Sequence, residues 1–167
     1  MTLEIREEGP GDAEIIAEVT TRAFRGAEHS SGTEAHIVDA LRDAGALTMS
    51  LVAAEGGSVV GHVAVSPVLI DGQAEHWFGL GPVSVEPTRQ GLGIGTALVR
   101  AALDRLREMG SHGCVVLGDP AFYARFGFTS HAELRYGDVP PRYFQRIVLA
   151  GSPPRGSVTY HGSFETS

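Results

Sequence analysis

Arg89-Gln90-Gly91-Leu92-Gly93-Ile94-Gly95-Thr96 is the stretch from which the fold is read. Before it, Trp77 to Val85 is an apolar, strand-like run. After it, Thr96 to Met109 repeats apolar residues at helical spacing, with Ala97, Leu98, Ala101, Ala102 and Leu106 on one face. Glycines let the chain turn tightly with its N–H groups converging, and the following helix adds the positive end of its dipole. A loop of this kind takes a phosphate group.

The spacing of the glycines decides which phosphate loop this is. A P-loop needs Lys followed by Ser or Thr after its last glycine, whereas Gly95 is followed by Thr96 and Ala97. A dinucleotide loop needs glycines at first, third and sixth positions, but counting from Gly91 ends on Thr96 and counting from Gly93 ends on Leu98. The run Gln90 to Gly95 does fit the pattern Gln/Arg-x-x-Gly-x-Gly/Ala. Together with Val83-Ser84-Val85 it resembles the acetyl-coenzyme A site of the GNAT family of N-acetyltransferases. A second motif, Asp119-Pro120-Ala121-Phe122-Tyr123-Ala124-Arg125-Phe126-Gly127-Phe128, is similar to the family's segment in which a tyrosine on a short helix precedes a Gly-Phe pair. The phrase Leu117-Gly118-Asp119-Pro120 resembles the bacterial subgroup called YhbS-like. The likeness runs from Leu3-Glu4-Ile5-Arg6 to Val158-Thr159-Tyr160, and the two central motifs carry it.

The resemblance implies a mixed α/β fold: a mostly antiparallel central sheet, splayed at the coenzyme site and flanked by helices. In that fold the strand bearing Val83-Ser84-Val85 leaves the strand bearing Cys114 to Leu117, and the coenzyme's pantetheine arm pairs in the gap with main-chain groups of Val83 and Val85. Pro82 cannot donate to a ladder, and the resemblance implies the bulge that would accommodate it, with Gly79, Gly81 and Pro82 in the distorted segment. Coenzyme contacts are therefore expected from Val83, Ser84, Val85, Gln90, Gly91, Leu92, Gly93, Ile94, Gly95, Thr96 and Tyr123, with acetyl-CoA as co-substrate and no metal.

Composition agrees with one domain spanning residues 1–167, with a looser tail from about 151. Neither a leader-like N-terminus nor an apolar run long enough to span a bilayer is present, so a cytoplasmic protein without membrane contact is expected. The lone Cys114 excludes an internal disulfide, and the seven histidines have no metal-ligand spacing. Thirteen basic against twenty acidic residues give a net charge of −7, which argues against a nucleic-acid partner and in favour of a cationic amine acceptor. A monomer or homodimer is expected.

Along the chain, Leu3 and Ile5 alternate as in a strand, and Asp12 is placed to cap a helix running to Phe24. A second helix carries Ile37, Val38 and Leu41 behind Thr33. Strands follow at Thr48 to Ala54, Val59 to Ile70 and Ala74 to Val85, broken at Glu55-Gly56-Gly57 and Asp71-Gly72. Cys114 to Leu117 reads as a buried strand, Phe128 opens another, and Tyr143 to Leu149 is the last long one.

The resemblance implies direct attack of a primary amine, small-molecule or peptide, on the acetyl thioester. A backbone N–H near Val83 would polarise the carbonyl, and Tyr123 would act as general acid toward the departing thiolate. The general base stays open. Trp77 to Ser84 holds no carboxylate, leaving Glu34, His36, His62, Glu75, His76 or a bound water. The competing class is an acyl-CoA-binding sensor or carrier with little transferase activity.

Overall fold

The computed structural model describes residues 2–26, 30 and 32–165. Strand β1 (Leu3–Glu7) leads into α1 (Asp12–Phe24) and α2 (Glu34–Asp43). The meander β2 (Met49–Glu55), β3 (Ser58–Ile70) and β4 (Gln73–Val85) precedes the glycine loop and α3 (Ile94–Glu108). Then come β5 (Gly113–Leu117), the single turn α4 (Pro120–Tyr123), β6 (Leu134–Arg135), β7 (Phe144–Val148) and β8 (Gly156–Tyr160). The sheet order is β1-β2-β3-β4-β5-β7. Neighbours along it are antiparallel except β4 and β5, which run parallel.

Two helical layers cover the sheet because its central strands β2 and β3 are apolar on both faces. On one side α3 lays Leu98, Val99, Ala102 and Leu106 onto Leu51, Val63, Val65 and Leu80. On the other, Ile16 of α1 and Val38 of α2 meet Val52 and Ala64. Consecutive residues of β3 thus face opposite layers, as a strand's two-residue period requires. This alternation puts the buried His62 on the α1 side with Ala64.

Four details depart from the sequence reading. Gly11, with φ of 89°, occupies the position before α1, and Asp12 is the first helical residue. The Asp12 carboxylate accepts from the Gly9 N–H at 2.7 Å and from Arg6 at 2.8 Å, so it braces the turn and ties it to β1. Helix α3 starts at Ile94 rather than Thr96, because Gly93 already takes the cap position. Phe128 opens no strand; next to it, Thr129 makes an isolated bridge to Arg146. The segment expected as a loose tail carries β8, which pairs antiparallel with β3 from Val68↔Tyr160 to Ile70↔Val158, so β7 is not the last strand. Alternating residues of a short half-exposed strand give a weak signal beside Pro153 and Pro154, and the pairing partner lies some ninety residues away in sequence.

Candidate active site

The sheet opens between β4 and β5. Their parallel pairing runs from Trp77↔Gly113 to Leu80↔Val116 and stops there. Past that point β4 stays with β3, with the register broken between Val63 and Val65 opposite Gly81 and Pro82, so the expected bulge is present. The Gly81–Pro82 peptide is cis.

Main-chain direction in this gap follows from one hydrogen bond. The Glu86 N–H donates to the Val60 carbonyl at 2.8 Å, so the peptide groups of Glu86 face β3. Since those groups alternate sides along a strand, Ser84 faces β3 as well, while Val83 and Val85 turn theirs toward the space that β5 has left. The Val85 carbonyl there accepts from the Gln90 Nε2 at 3.1 Å, fastening the glycine loop to the end of β4. Ser84 lines neither cavity of the cleft. Its side chain is buried on the α1 side, with Oγ donating to Thr20 Oγ1 at 3.3 Å.

Gly91 and Gly93 have φ of 79° and 86°, a region costly for side chains with a Cβ. That conformation curls the loop over the first turn of α3. Gly93, Gly95, Thr96 and Gln90 line a cavity of about 630 Å3 together with Val83, Val85 and Tyr123. Leu92, by contrast, projects outward and is 67% exposed. Two ion pairs brace the surroundings. Arg22 of α1 holds Glu86 at 2.7 Å, and Arg89 holds Glu55 of β2 at 2.7 Å, so Arg89 is a strut for the loop.

A second cavity, about 570 Å3, continues from the first, and the two share Phe24, Val83, Phe122 and Tyr123. Tyr123 stands where they meet. Asp119 Oδ1 accepts the Ala121 N–H at 3.0 Å and so starts the turn that presents the tyrosine. Phe122 and Phe128 pack edge-on against its ring at 4.9 and 5.8 Å. Gly118 leaves room for that ring, since a Cβ there would lie 2.7 Å from it. Burial, reinforced by the neighbouring Cys114 and Asp119, pushes the Tyr123 phenol up to about 12. It is therefore protonated at neutral pH and able to donate. Cys114 is fully buried, and desolvation raises its thiol well above the ordinary range, leaving it an inert core residue.

The structure separates the candidate bases. Glu34, at the start of α2, lines the second cavity with Tyr123 and Val83. His36 is exposed on α2 and lines neither cavity. His62 lies under the α1 layer with Nε2 at 2.8 Å from Ser50 Oγ; desolvation pushes it down to about 4, against the pull of Glu8, so it is neutral there. Glu75 lines a pocket at the far end of β4, and His76 packs edge-on against His112 at 5.2 Å. Between α1 and α2, Ala27, Glu28, His29 and Ser31 lie outside the described residues.

Arg125 is a site residue that the sequence reading passed over. Its guanidinium sits 5.0 Å above the Phe122 ring and 3.5 Å from Thr96 Oγ1, at the wall of the glycine-loop cavity. A cation two residues beyond Tyr123, in the segment that accompanies a loop read as a phosphate cradle, was the available signal.

The acetyltransferase (GNAT) family model matches residues 13–128, the part of the chain that holds the splayed strands, the loop and Tyr123. The chain belongs to this family of N-acetyltransferases. It is 42% identical to the uncharacterised N-acetyltransferase YhbS of Escherichia coli (strain K12) over 134 residues, covering 78% of this chain and 77% of that protein. Among solved structures, a GNAT acetyltransferase from Brucella melitensis in complex with acetyl-CoA shares 50% identity and superposes with a TM-score of 0.88 over 98% of both chains. Escherichia coli YhbS in complex with CoA shares 37% identity, with a TM-score of 0.84 over 98% of this chain and 92% of that one. The GNAT architecture expected from the two motifs is thus the architecture observed.

Among the described residues, no group of three or more His, Cys, Asp or Glu is gathered as a metal site, and no helix is long and apolar enough to cross a membrane.

Proposed function

We propose that this GNAT protein binds acetyl-CoA along the gap between β4 and β5 and transfers the acetyl group directly to a primary amine. The observation that carries the reading is the break in pairing after Leu80↔Val116, which leaves the peptide groups of Val83 and Val85 facing a groove that ends on a glycine-lined helix start. Such a groove suits a chain with two amides followed by a pyrophosphate: the arm pairs as a further strand, and the phosphates meet the N–H groups of Gln90 to Thr96. The relatives bound to acetyl-CoA and CoA support the same ligand. Arg125 adds a cation near the phosphates.

Chemistry then falls at the junction of the two cavities. The amine nitrogen attacks the thioester carbonyl, whose oxygen accepts from the Val83 N–H as charge develops on it. The C–N bond forms, the C–S bond breaks, and the thiolate takes its proton from the Tyr123 hydroxyl. The amine's proton leaves to Glu34 or to water held beside it. Glu34 is favoured because, of the candidate side chains, it alone lines the cavity shared with Tyr123 and Val83.

The test is release of free CoA thiol from acetyl-CoA with a mixed amine panel, with the acetylated amine identified by mass. Amine-dependent release supports the transferase. Tight CoA binding without release for any amine would favour an acyl-CoA sensor, and absence of CoA binding would overturn the reading.

A further inference from the structure

We infer that the acceptor is a primary monoamine carried on an apolar, ring-sized body, held in the cavity beyond Val83 with Glu34 at its charged end. The inference rests on the transferase reading above. It starts from what the cavity wall is made of. Phe24, Tyr136 and the pair Tyr160 and Phe164 converge there from three separate stretches of the chain. Tyr136 meets Tyr160 and Tyr160 meets Phe164, each edge-on at 4.9 Å, so the three rings form one continuous wall. The Tyr160 Oη is buried out of solvent contact, which leaves ring carbon as the surface this residue offers.

Among the described residues, the charged ones that line the cavity are Glu34 and Asp119, both acidic. Asp119 is exposed at the rim and already engaged at the start of α4. Glu34 has its carboxylate oriented by the Ser30 hydroxyl at 3.0 and 3.1 Å. Aromatic faces and a carboxylate together attract an ammonium group, while the carbon walls reward burial of an apolar body. At about 570 Å3 the cavity has the capacity of a small-molecule site.

Two other acceptor classes fit less well. A polyamine would have to strip water from additional ammonium groups against ring carbon. A peptide would bring backbone N–H and C=O groups that this wall leaves unpaired. An amine with one charge and an apolar body has neither cost, and it gives up that charge on deprotonation, before attack.

The experiment compares kcat/KM of the full chain, with saturating acetyl-CoA, for 2-phenylethylamine, hexylamine, spermidine and a lysine-bearing peptide, alongside calorimetric titration with CoA. The expected result is a preference for 2-phenylethylamine and hexylamine over spermidine and the peptide of about tenfold or more. Tyr136→Ala and Phe164→Ala should each raise the KM for 2-phenylethylamine about fivefold or more and leave CoA affinity in place; two variants are used so that one failing to fold does not decide the matter. Preference for spermidine or the peptide would overturn the inference, as would no turnover of 2-phenylethylamine by a protein that binds CoA, or an unchanged KM in both folded variants. Failure to bind CoA at all would instead bring down the transferase reading on which the inference stands.

Discussion

The two cavities meet at Tyr123 but are made of different material. The glycine-loop groove is built largely on one stretch of the chain, Val83 to Thr96, in which Val83 and Val85 turn their peptide groups to the gap and Gly91 and Gly93 are left-handed, with Phe24, Phe122, Tyr123 and Arg125 completing its wall. The cavity beyond Val83 is built from side chains of Phe24, Glu34, Tyr136, Tyr160 and Phe164, which belong to different segments. A backbone-made site depends on the fold itself, and side-chain changes leave most of its donors in place. A site made by converging side chains can change its ligand while the fold stays as it is. The first therefore speaks for the coenzyme, and the second for the acceptor.

Tyr123 belongs to both regions, so Tyr123→Phe is the strongest way to separate binding from chemistry. We expect kcat to fall by about 10²- to 10⁴-fold with CoA affinity nearly unchanged. Because burial holds the phenol up to about 12, the wild-type pH profile should show no loss from this group up to about pH 10. Unaltered kcat in the phenylalanine variant would assign the thiolate's proton to water.

Acid should strike the support that the two regions share. His62 of β3 pairs with Ser84 of β4 directly behind the groove and is held down to about 4 by desolvation, against an ordinary value of 6.5. Between those values the unfolded chain binds a proton that the folded protein does not, so stability falls as pH drops from 6.5 to about 4 and this group takes no more below that. The full loss is about 3 kcal/mol. Denaturant titrations at pH 7 and pH 4.5 should show His62→Gln losing less stability over this interval than the wild type. Parallel losses would place the acid sensitivity elsewhere.

Gly93→Val tests the groove alone. At φ of 86° a β-branched residue is strained by about 1–3 kcal/mol, which corresponds to CoA binding roughly ten- to a hundredfold weaker if the loop must abandon its shape. Calorimetry should find CoA affinity reduced with the fold intact; unchanged affinity would move the phosphates to another site. The smallest effect is expected from Arg125→Ala, which should weaken CoA by about two- to fivefold and lessen the salt dependence of binding, as for an exposed charge near a phosphate. No change in either would leave Arg125 as a cover for Phe122.

Legibility in the sequence followed the same division. The coenzyme groove was readable because glycine register, Pro82 and the Tyr123 segment are local signals whose meaning depends on neighbours within a few residues. The bulge at Gly81–Pro82 appears where the residues indicated, and so does the helix after the loop, apart from its start two residues earlier at Ile94. The acceptor cavity was not readable, since nothing local links Phe24, Glu34 and Tyr136 to Tyr160 and Phe164. Tyr160 was assigned to a loose tail, and only the pairing of β8 with β3 brings it beside Glu34. The five candidate base side chains were indistinguishable for the same reason. Their separation depends on which side of α2, which face of β3 or which end of β4 each one occupies, and that becomes fixed only when helices and sheet are assembled.

The most direct test of the account is amide hydrogen exchange at Val83 and Val85, followed by NMR with and without CoA. If the coenzyme arm completes the sheet as an added strand, at least one of these amides should become strongly protected on binding, while Ser84, already turned to β3, should change little. CoA binding that leaves both amides exchanging as before would contradict the reading of the gap as the coenzyme site.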